Sequence, residues 1–350
     1  DIAMAQDMSR RDFLKLSGAF VLTGNPAGPA PSARKTVRIP EADKIVITVI
    51  ADNLADALRP HDRIARRHEV ASSVLEFGLH AEHGLAYHVE TEVDGRAHSF
   101  LFDFATDFLG VGKNMALLKL DLKGIEALVL SHDHFDHQAA LIGLLRTNRA
   151  DIPRRIPFFV GEGFFSGTYF KKPGGPAMSL LALDREEVEG LGLVEIVEVR
   201  DPAPIVPGAY SSGRIERVTD YEQIPPVFVR KSGEELVPEE FAGEQAVILN
   251  ARGKGLVVLS GCAHRGIINT VRHAQKMTGI GKVHAVIGGF HLSGAGQELI
   301  RKTIADMRDI GPDYVVPAHC TGFEAVAAFA GEMPGPFILN TVGTKYRISA

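Results

Sequence analysis

No stretch of this 350-residue chain reaches the run of about 18 uncharged apolar residues that a membrane-crossing helix needs, so no stable membrane insertion is expected. A basic excess is also missing. Lys and Arg number 38 against 43 Asp and Glu, a formal charge of -5, which argues against nucleic acid as a partner. Cysteine is scarce: the two present, Cys262 and Cys320, allow one disulfide at most. What is there, 45% hydrophobic and 23% charged residues, suits a soluble globular protein with one large core or two lobes and a small-molecule substrate. The oligomeric state is not written in these numbers.

The first 35 residues carry an address. Paired Arg10 and Arg11 stand in Ser9-Arg-Arg-Asp-Phe-Leu-Lys15, followed by the weakly apolar Leu16 to Thr23 and a Pro/Gly/Ala stretch ending at Ala33. This pattern resembles a twin-arginine export signal with its linker, so a periplasmic or exported location is expected, with the mature protein beginning near Arg34. The alternative is an amphipathic helix exposing two arginines. Residues 36–350 are expected to form one domain.

Within that domain, Ser131-His-Asp-His-Phe-Asp-His137 packs three imidazoles and a carboxylate behind a strand-like stretch ending at Leu130. In extended backbone, residues two apart point to the same side, so His132, His134 and Asp136 can converge. His137 opens a helical stretch, and the change of period can swing its ring toward a second ion. Imidazole with carboxylate suits zinc first, and also iron, manganese or nickel. A solvated loop of unrelated histidines is the rival reading, and four such ligands at one strand end weigh against it.

Apolar runs and turn signals give the organisation. Strands are expected at 44–51, at 85–93 and 97–103 around the hairpin pair Asp94-Gly95, and at 126–130 and 156–160. Helices are expected at 111–122 and 138–148. Residues at about 166–245 are richer in Pro and Gly and hold only fragments such as a strand at 194–199, which reads as an insertion, a lid over the site. The pattern then resumes with strands at 244–250, 256–260, 283–290 and 313–317 and helices at 266–277 and 296–309. Three of these strands run into a histidine: His264, His291 and His319. Loops at strand ends can vary while the sheet fixes their positions, so these three and His132 look like one constellation. Cys262 and Cys320 lie beside two of them and have three possible states: a bridge, soft metal ligands or their supports, and small buried hydrophobes.

Taken together, Asp103 at a strand end, His132-x-His-x-Asp-His137 and the later His264 and His319 resemble the metallo-β-lactamase superfamily over roughly residues 44–348. Ser260-Gly-Cys-Ala-His-Arg-Gly-Ile-Ile-Asn-Thr270, Gly288-Gly-Phe-His-Leu292 and Pro317-Ala-His-Cys-Thr-Gly322 are similar to the branch named for dihydropterin ribofuranosyl-aminobenzene phosphate synthase. The resemblance implies an α/β fold, a four-layer αββα sandwich with one or two divalent metal ions at one edge. It implies that His132 and His134 hold one ion and that Asp136, His137 and His319 hold the other, with His264 where many relatives place a bridging aspartate. An imidazole does not readily bridge two ions. Relatives commonly have a further histidine near Val160-Gly-Glu-Gly-Phe164, where this chain offers Glu162. Glu162 as an oxygen ligand, His264 in the missing place, or a mononuclear site would each answer that departure, and His264 as a ligand is preferred.

A divalent ion lowers the pKa of water from about 15.7 toward 7 and polarises the bond under attack, so hydrolysis is the expected chemistry. Asp136 would both coordinate and orient the nucleophile, His291 would relay protons or bind substrate in the pocket, and Arg265 would help stabilise substrate charge. The remaining histidines, His83 among them, show no partner pattern. Three functions compete: an exported metal-dependent hydrolase of a small phosphoester, lactone or other ester; a pterin-linked transfer or synthase enzyme; and a metal-binding or pterin-binding protein with little turnover.

Overall fold

A computed structural model of the chain describes residues 36–69, 78–153 and 155–350. The export-signal expectation falls on 1–35 and lies outside the described residues. Thr36–Ala350 forms one compact unit.

Two large sheets form the middle of the Thr36–Ala350 unit. The first has eight strands, in the spatial order Ala65–Arg66, Lys345–Ser349, Lys44–Ala51, Ala86–Val93, Arg96–Phe104, Ile125–Val129, Ile156–Gly161 and Val194–Val199. The second has six: Ala203–Val206, Ala209–Ser211, Val247–Ala251, Gly255–Ser260, Val283–Gly289 and Tyr314–Ala318. Strand periodicity decides how they stack. Ile45, Ile47 and Val49 on one sheet and Val247, Leu249, Val257 and Leu259 on the other belong to a single buried cluster, so the two inner faces pack on each other.

The alternate residues face outward and collect helices. Ile50, Leu128 and Leu130 pack with Val111, Met115, Leu141 and Leu144 from helices Phe108–Leu117 and Leu141–Thr147. On the other side, Ile248 and Val258 meet Ile267 and Val271 of helix Ile267–Thr278, together with Ile300, Ile304 and Met307 of helix Gln297–Ile310. The last three recur at the spacing of one helical face. The result is the expected helix–sheet–sheet–helix layering.

Each sheet has a parallel part. Arg96–Phe104, Ile125–Val129 and Ile156–Gly161 run parallel in the first, as do Gly255–Ser260, Val283–Gly289 and Tyr314–Ala318 in the second. Their carboxyl ends carry Asp103, the His132–His137 loop, the Cys262–His264 loop, His291 and His319, and so gather every histidine of the constellation at one edge.

The 166–245 stretch departs from the expectation of a single inserted lid. Val194–Val199 is the edge strand of the first sheet, parallel to Ile156–Gly161, and Ala203–Val206 and Ala209–Ser211 complete the second sheet. Only Thr168–Lys171, Ala177–Ser179, Phe228–Ser232 and Glu235–Pro238 stand apart, as a four-stranded sheet. Short strands whose partners are distant in sequence look like fragments until the pairing is known. The helix expected at 111–122 starts earlier, at Phe108, because the Asp107 carboxylate accepts the Leu109 N–H and caps it.

Candidate metal centre and its surroundings

Seven side chains from three loops form two adjoining groups whose ligand atoms lie within 4.8 Å of one another in each: His132, His134 and His264 in the first, and Asp136, His137, Cys262 and His319 in the second. All seven are buried. In the first group His132 Nε2 and His264 Nε2 are 3.2 Å apart. In the second, His137 Nε2 stands 3.2 Å from His319 Nε2 and 3.1 Å from Cys262 Sγ, and His319 Nε2 is 3.2 Å from Asp136 Oδ2.

These separations fit a shared cation. Two imidazole nitrogens held tetrahedrally at about 2.0–2.1 Å from one zinc ion stand about 3.3 Å apart. Buried polar atoms are normally paired, yet His134 Nε2 has no hydrogen-bond partner. The metal expected from the sequence is therefore compatible with the residues present.

Asp103 prepares both groups. Its Oδ1 accepts the Ser131 N–H at 2.7 Å and its Oδ2 accepts the Ser131 hydroxyl at 2.8 Å. His137 Nδ1 lies 2.6 Å from Oδ2, and because a carboxylate only accepts, the Nδ1 proton must point there. The Ser131 hydroxyl has spent its proton on Asp103, so His132 Nδ1, 2.9 Å from that oxygen, is also a donor. Both rings are thereby held with a bare Nε2 directed into the ligand groups. Asp52 supports the far side: it accepts the His319 N–H at 2.9 Å and the Asn340 amide at 2.7 Å, while the Asn53 amide donates to the His319 carbonyl at 3.0 Å.

The backbone here is strained. Asp103, Ala263, His291 and His319 take positive φ of 59°, 58°, 47° and 51°, a region that side chains other than glycine seldom occupy. Gly288 and Gly289 permit the close approach that their sequence suggested. A Cβ on Gly288 would stand 2.1 Å from the Ser260 carbonyl oxygen, and one on Gly289 would stand 2.7 Å from Cys320 Sγ.

Electrostatics separate the two groups. Burial, reinforced by neighbouring imidazoles, holds His132 and His264 well below the ordinary histidine range, and burial takes His134 down to about 3. These rings are neutral and ready to ligate. In the second group burial opposes charge as well, yet the hydrogen bond to Asp136 lifts His319 to about 9, and His137 and His319 keep the Asp136 carboxyl well below its usual range.

A cavity of about 310 Å³ opens beside His132, with Asp133, Phe164, Arg214, Arg230 and Phe241 in its wall. Burial raises Asp133 to about 7 against the hydrogen bond from Thr168, whose hydroxyl lies 2.9 Å from its carboxylate. Burial also brings Glu244, on the same wall, to about 7, while its oxygens accept the N–H groups of His264 at 2.6 Å and Arg265 at 2.7 Å. Phe241 stacks on His264 with centroids 4.1 Å apart and planes at 3°, and Phe228 closes on His134 at 5.4 Å.

Placement decides between alternatives for His264 and Glu162 and corrects the expectations for Arg265 and His291. His264 joins His132 and His134, in the place where relatives have a further histidine, which is one of the alternatives the sequence offered; Cys262, two residues earlier, lies by the second group, because the loop after Ser260 turns through Ala263 at positive φ. Glu162 belongs to neither ligand group but lines the cavity beside His132, and faces Arg200 at 3.6 Å. Arg265 is occupied with carbonyls, its Nε donating to Ile215 O at 2.7 Å and its Nη1 to Glu240 O, since a buried guanidinium has to satisfy its donors. His291 does not line the cavity; its ring packs 4.0 Å from that of His264, and with Cys262 and His264 it forms a third group of ligand-capable atoms. Cys262 and Cys320 are both buried free thiols. Cys320 Sγ approaches the Cys262 carbonyl oxygen at 3.5 Å.

Some participants left no signal in the sequence. His83, placed among the histidines without a pattern, stacks on His319 at 4.8 Å with its Nε2 3.4 Å from Asp136 Oδ2. Ser131, Asp52 and Glu244 each make two or more hydrogen bonds that support the site from strand ends. Only their adjacency in sequence to an apolar run or a ligand hinted at them.

No family model matches the chain. A protein of Methanocaldococcus jannaschii described as 7,8-dihydropterin-6-methyl-4-(β-D-ribofuranosyl)-aminobenzene-5'-phosphate synthase is 34% identical over 260 residues, covering 73% of this chain and 87% of the relative. The chain belongs to this synthase family of the metallo-β-lactamase superfamily. An uncharacterised protein of the same organism is 27% identical over 252 residues, 70% of this chain and 86% of the other. The crystal structure of Tm1679, described as a metal-dependent hydrolase of the β-lactamase superfamily, superposes with a TM-score of 0.67 at 23% identity, over 87% of this chain and 100% of that one. That likeness shows that this member of the synthase family has the metallo-β-lactamase fold, a fold that implies divalent metal ions.

Proposed function

We propose that this protein is a metal-dependent hydrolase of a small phosphoester, lactone or other ester, with zinc as the metal. The observation that carries the reading is the pair of ligand groups whose imidazole nitrogens stand 3.2 Å apart, beside a cavity large enough for a small molecule. Imidazole, carboxylate and thiol together suit zinc, with His132, His134 and His264 holding one ion and Asp136, His137, Cys262 and His319 the other. When bound, such ions supply positive charge that acidifies water and polarises the bond under attack. The chain's own contribution is positional. Asp103 fixes the tautomers of His132 and His137, Phe228 and Phe241 exclude water from the imidazole side, and the Asp136 carboxylate is placed to accept a hydrogen bond from the nucleophile. Arg214 and Arg230 offer the cavity positive charge for an anionic substrate group. Turnover of a panel of phosphodiesters and lactones by metal-loaded protein, with His134→Ala as control, tests this; no turnover on any member would sink it.

A second reading rests on the 34% identical relative: a pterin-linked synthase reaction at the same centre. Product analysis with a dihydropterin and a phosphorylated sugar donor separates the two, since the synthase joins two molecules where the hydrolase cleaves one. Export by the twin-arginine route is proposed from Ser9 to Lys15 alone. Fractionation of the producing cell, comparing wild type with Arg10→Lys/Arg11→Lys, tests it, and cytoplasmic retention of both would overturn it.

A further inference from the structure

On the edge strand of the first sheet and its neighbour, positive charge is concentrated without an ion-paired carboxylate among the described residues. Arg66 and Lys345 are direct cross-strand partners, and Arg347, two residues further along, shares their face. Like charges placed directly opposite on neighbouring strands are destabilising. Among the described residues none of the three has a carboxylate within ion-pair distance. All three line a cavity of about 330 Å³, and among the described residues the single acid in its wall, Glu69, is engaged with His61 at 3.1 Å.

A second observation comes from Arg67 in the same wall. It is only 6% exposed. Its Nη1 donates to the Thr344 hydroxyl at 2.8 Å and its Nη2 to the Leu339 carbonyl at 2.9 Å, yet its buried Nε has no partner. The facing pair of like charges costs stability unless an acceptor of negative charge occupies the cavity, and Arg67, held by Thr344 and Leu339, forms its positively charged floor. Guanidinium forks with an ammonium nearby match the oxygens of a phosphate group better than a single carboxylate. The cavity shares no lining residue with the one beside His132.

We propose that the cavity bounded by Arg66, Arg67, Lys345 and Arg347 is a binding site for a small phosphate-type dianion, separate from the metal centre. Binding there joins the strand Ala65–Arg66 to Lys345–Ser349, so ligand stabilises the folded state by mass action. The test uses the full metal-loaded protein and inorganic phosphate. Thermal melting is followed in millimolar phosphate and in chloride at matched ionic strength, for wild type and for Arg66→Gln/Arg347→Gln. Phosphate is expected to raise the melting temperature of wild type by several degrees, and the double variant is expected to lose most of that shift. In chloride the variant should melt no lower than wild type, because the facing charges are gone. Titration calorimetry with Lys345→Gln gives an independent reading: phosphate affinity about tenfold weaker than wild type. The proposal is overturned if phosphate does not shift wild type beyond chloride, if the double variant keeps more than half of the shift, or if Lys345→Gln binds phosphate unchanged.

Discussion

The two ligand groups sit side by side but are built on different principles. The first, His132, His134 and His264, is all imidazole, walled by Phe228 and Phe241 and kept neutral by burial. The second mixes a carboxylate, a thiol and two imidazoles, and without a cation it neutralises itself, His319 being held to about 9 against Asp136. A cation entering the first group meets free lone pairs. One entering the second must displace a proton. Burial alone can prepare a neutral ligand set, whereas a charged set needs internal partners until the cation arrives.

The largest effect that would break this contrast is loss of an imidazole from the first group. His264→Ala should remove one of two bound ions, read by elemental analysis, and lower turnover by at least about three orders of magnitude; retention of both ions would mean that His264 is no ligand. Asp103→Asn comes next, because Asp103 orients rings in both groups, and metal affinity should fall about 10–100-fold at each. Ser131→Ala should weaken the first group more than the second, and equal weakening would refute the tautomer argument.

Cys262→Ser should act on the second group alone. In cobalt-substituted protein the thiolate charge-transfer absorption should vanish while the imidazole-bound ion's visible bands persist. Proton release sharpens the contrast further. His319 is held above its ordinary value, so the stability its protonated form adds to the metal-free protein is complete below about pH 6.5 and disappears as pH rises through about 9. At a pH of about 7.5, between those two values, cation binding to the second group should therefore release protons, from His319 and from the Cys262 thiol that burial keeps protonated, seen as a buffer-dependent calorimetric heat, while binding to the first should not. The smallest effect is expected from Phe241→Leu, which removes the stack on His264 at a cost of about 1 kcal/mol in denaturant unfolding.

Much of this was legible beforehand, and for identifiable reasons. His132, His134, Asp136 and His137 are adjacent in sequence, so local geometry forces them together wherever the strand ends. His319 and His264 were visible because each follows an apolar run. His83 was not, since nothing around it in sequence records that it stacks on His319. Arg265 was misread for the complementary reason: its neighbours in sequence are ligands, while its guanidinium bonds to the carbonyls of Ile215 and Glu240. The stretch 166–245 looked like one insertion because Val194–Val199 finds its partner, Ile156–Gly161, across more than thirty residues of chain.

By itself, the sequence determined which chemistry is possible and where most strands and helices lie, because hydrophobic period and ligand spacing are properties of neighbouring residues, while the layering was implied by its resemblance to the metallo-β-lactamase superfamily. Only the tertiary structure decided which histidines share a cation, that Cys262 rather than His264 joins Asp136, and that Asp103 governs both groups. Those choices depend on turns through strained positions such as Ala263 and His319, and a turn of that kind is stable only when the surrounding packing holds it.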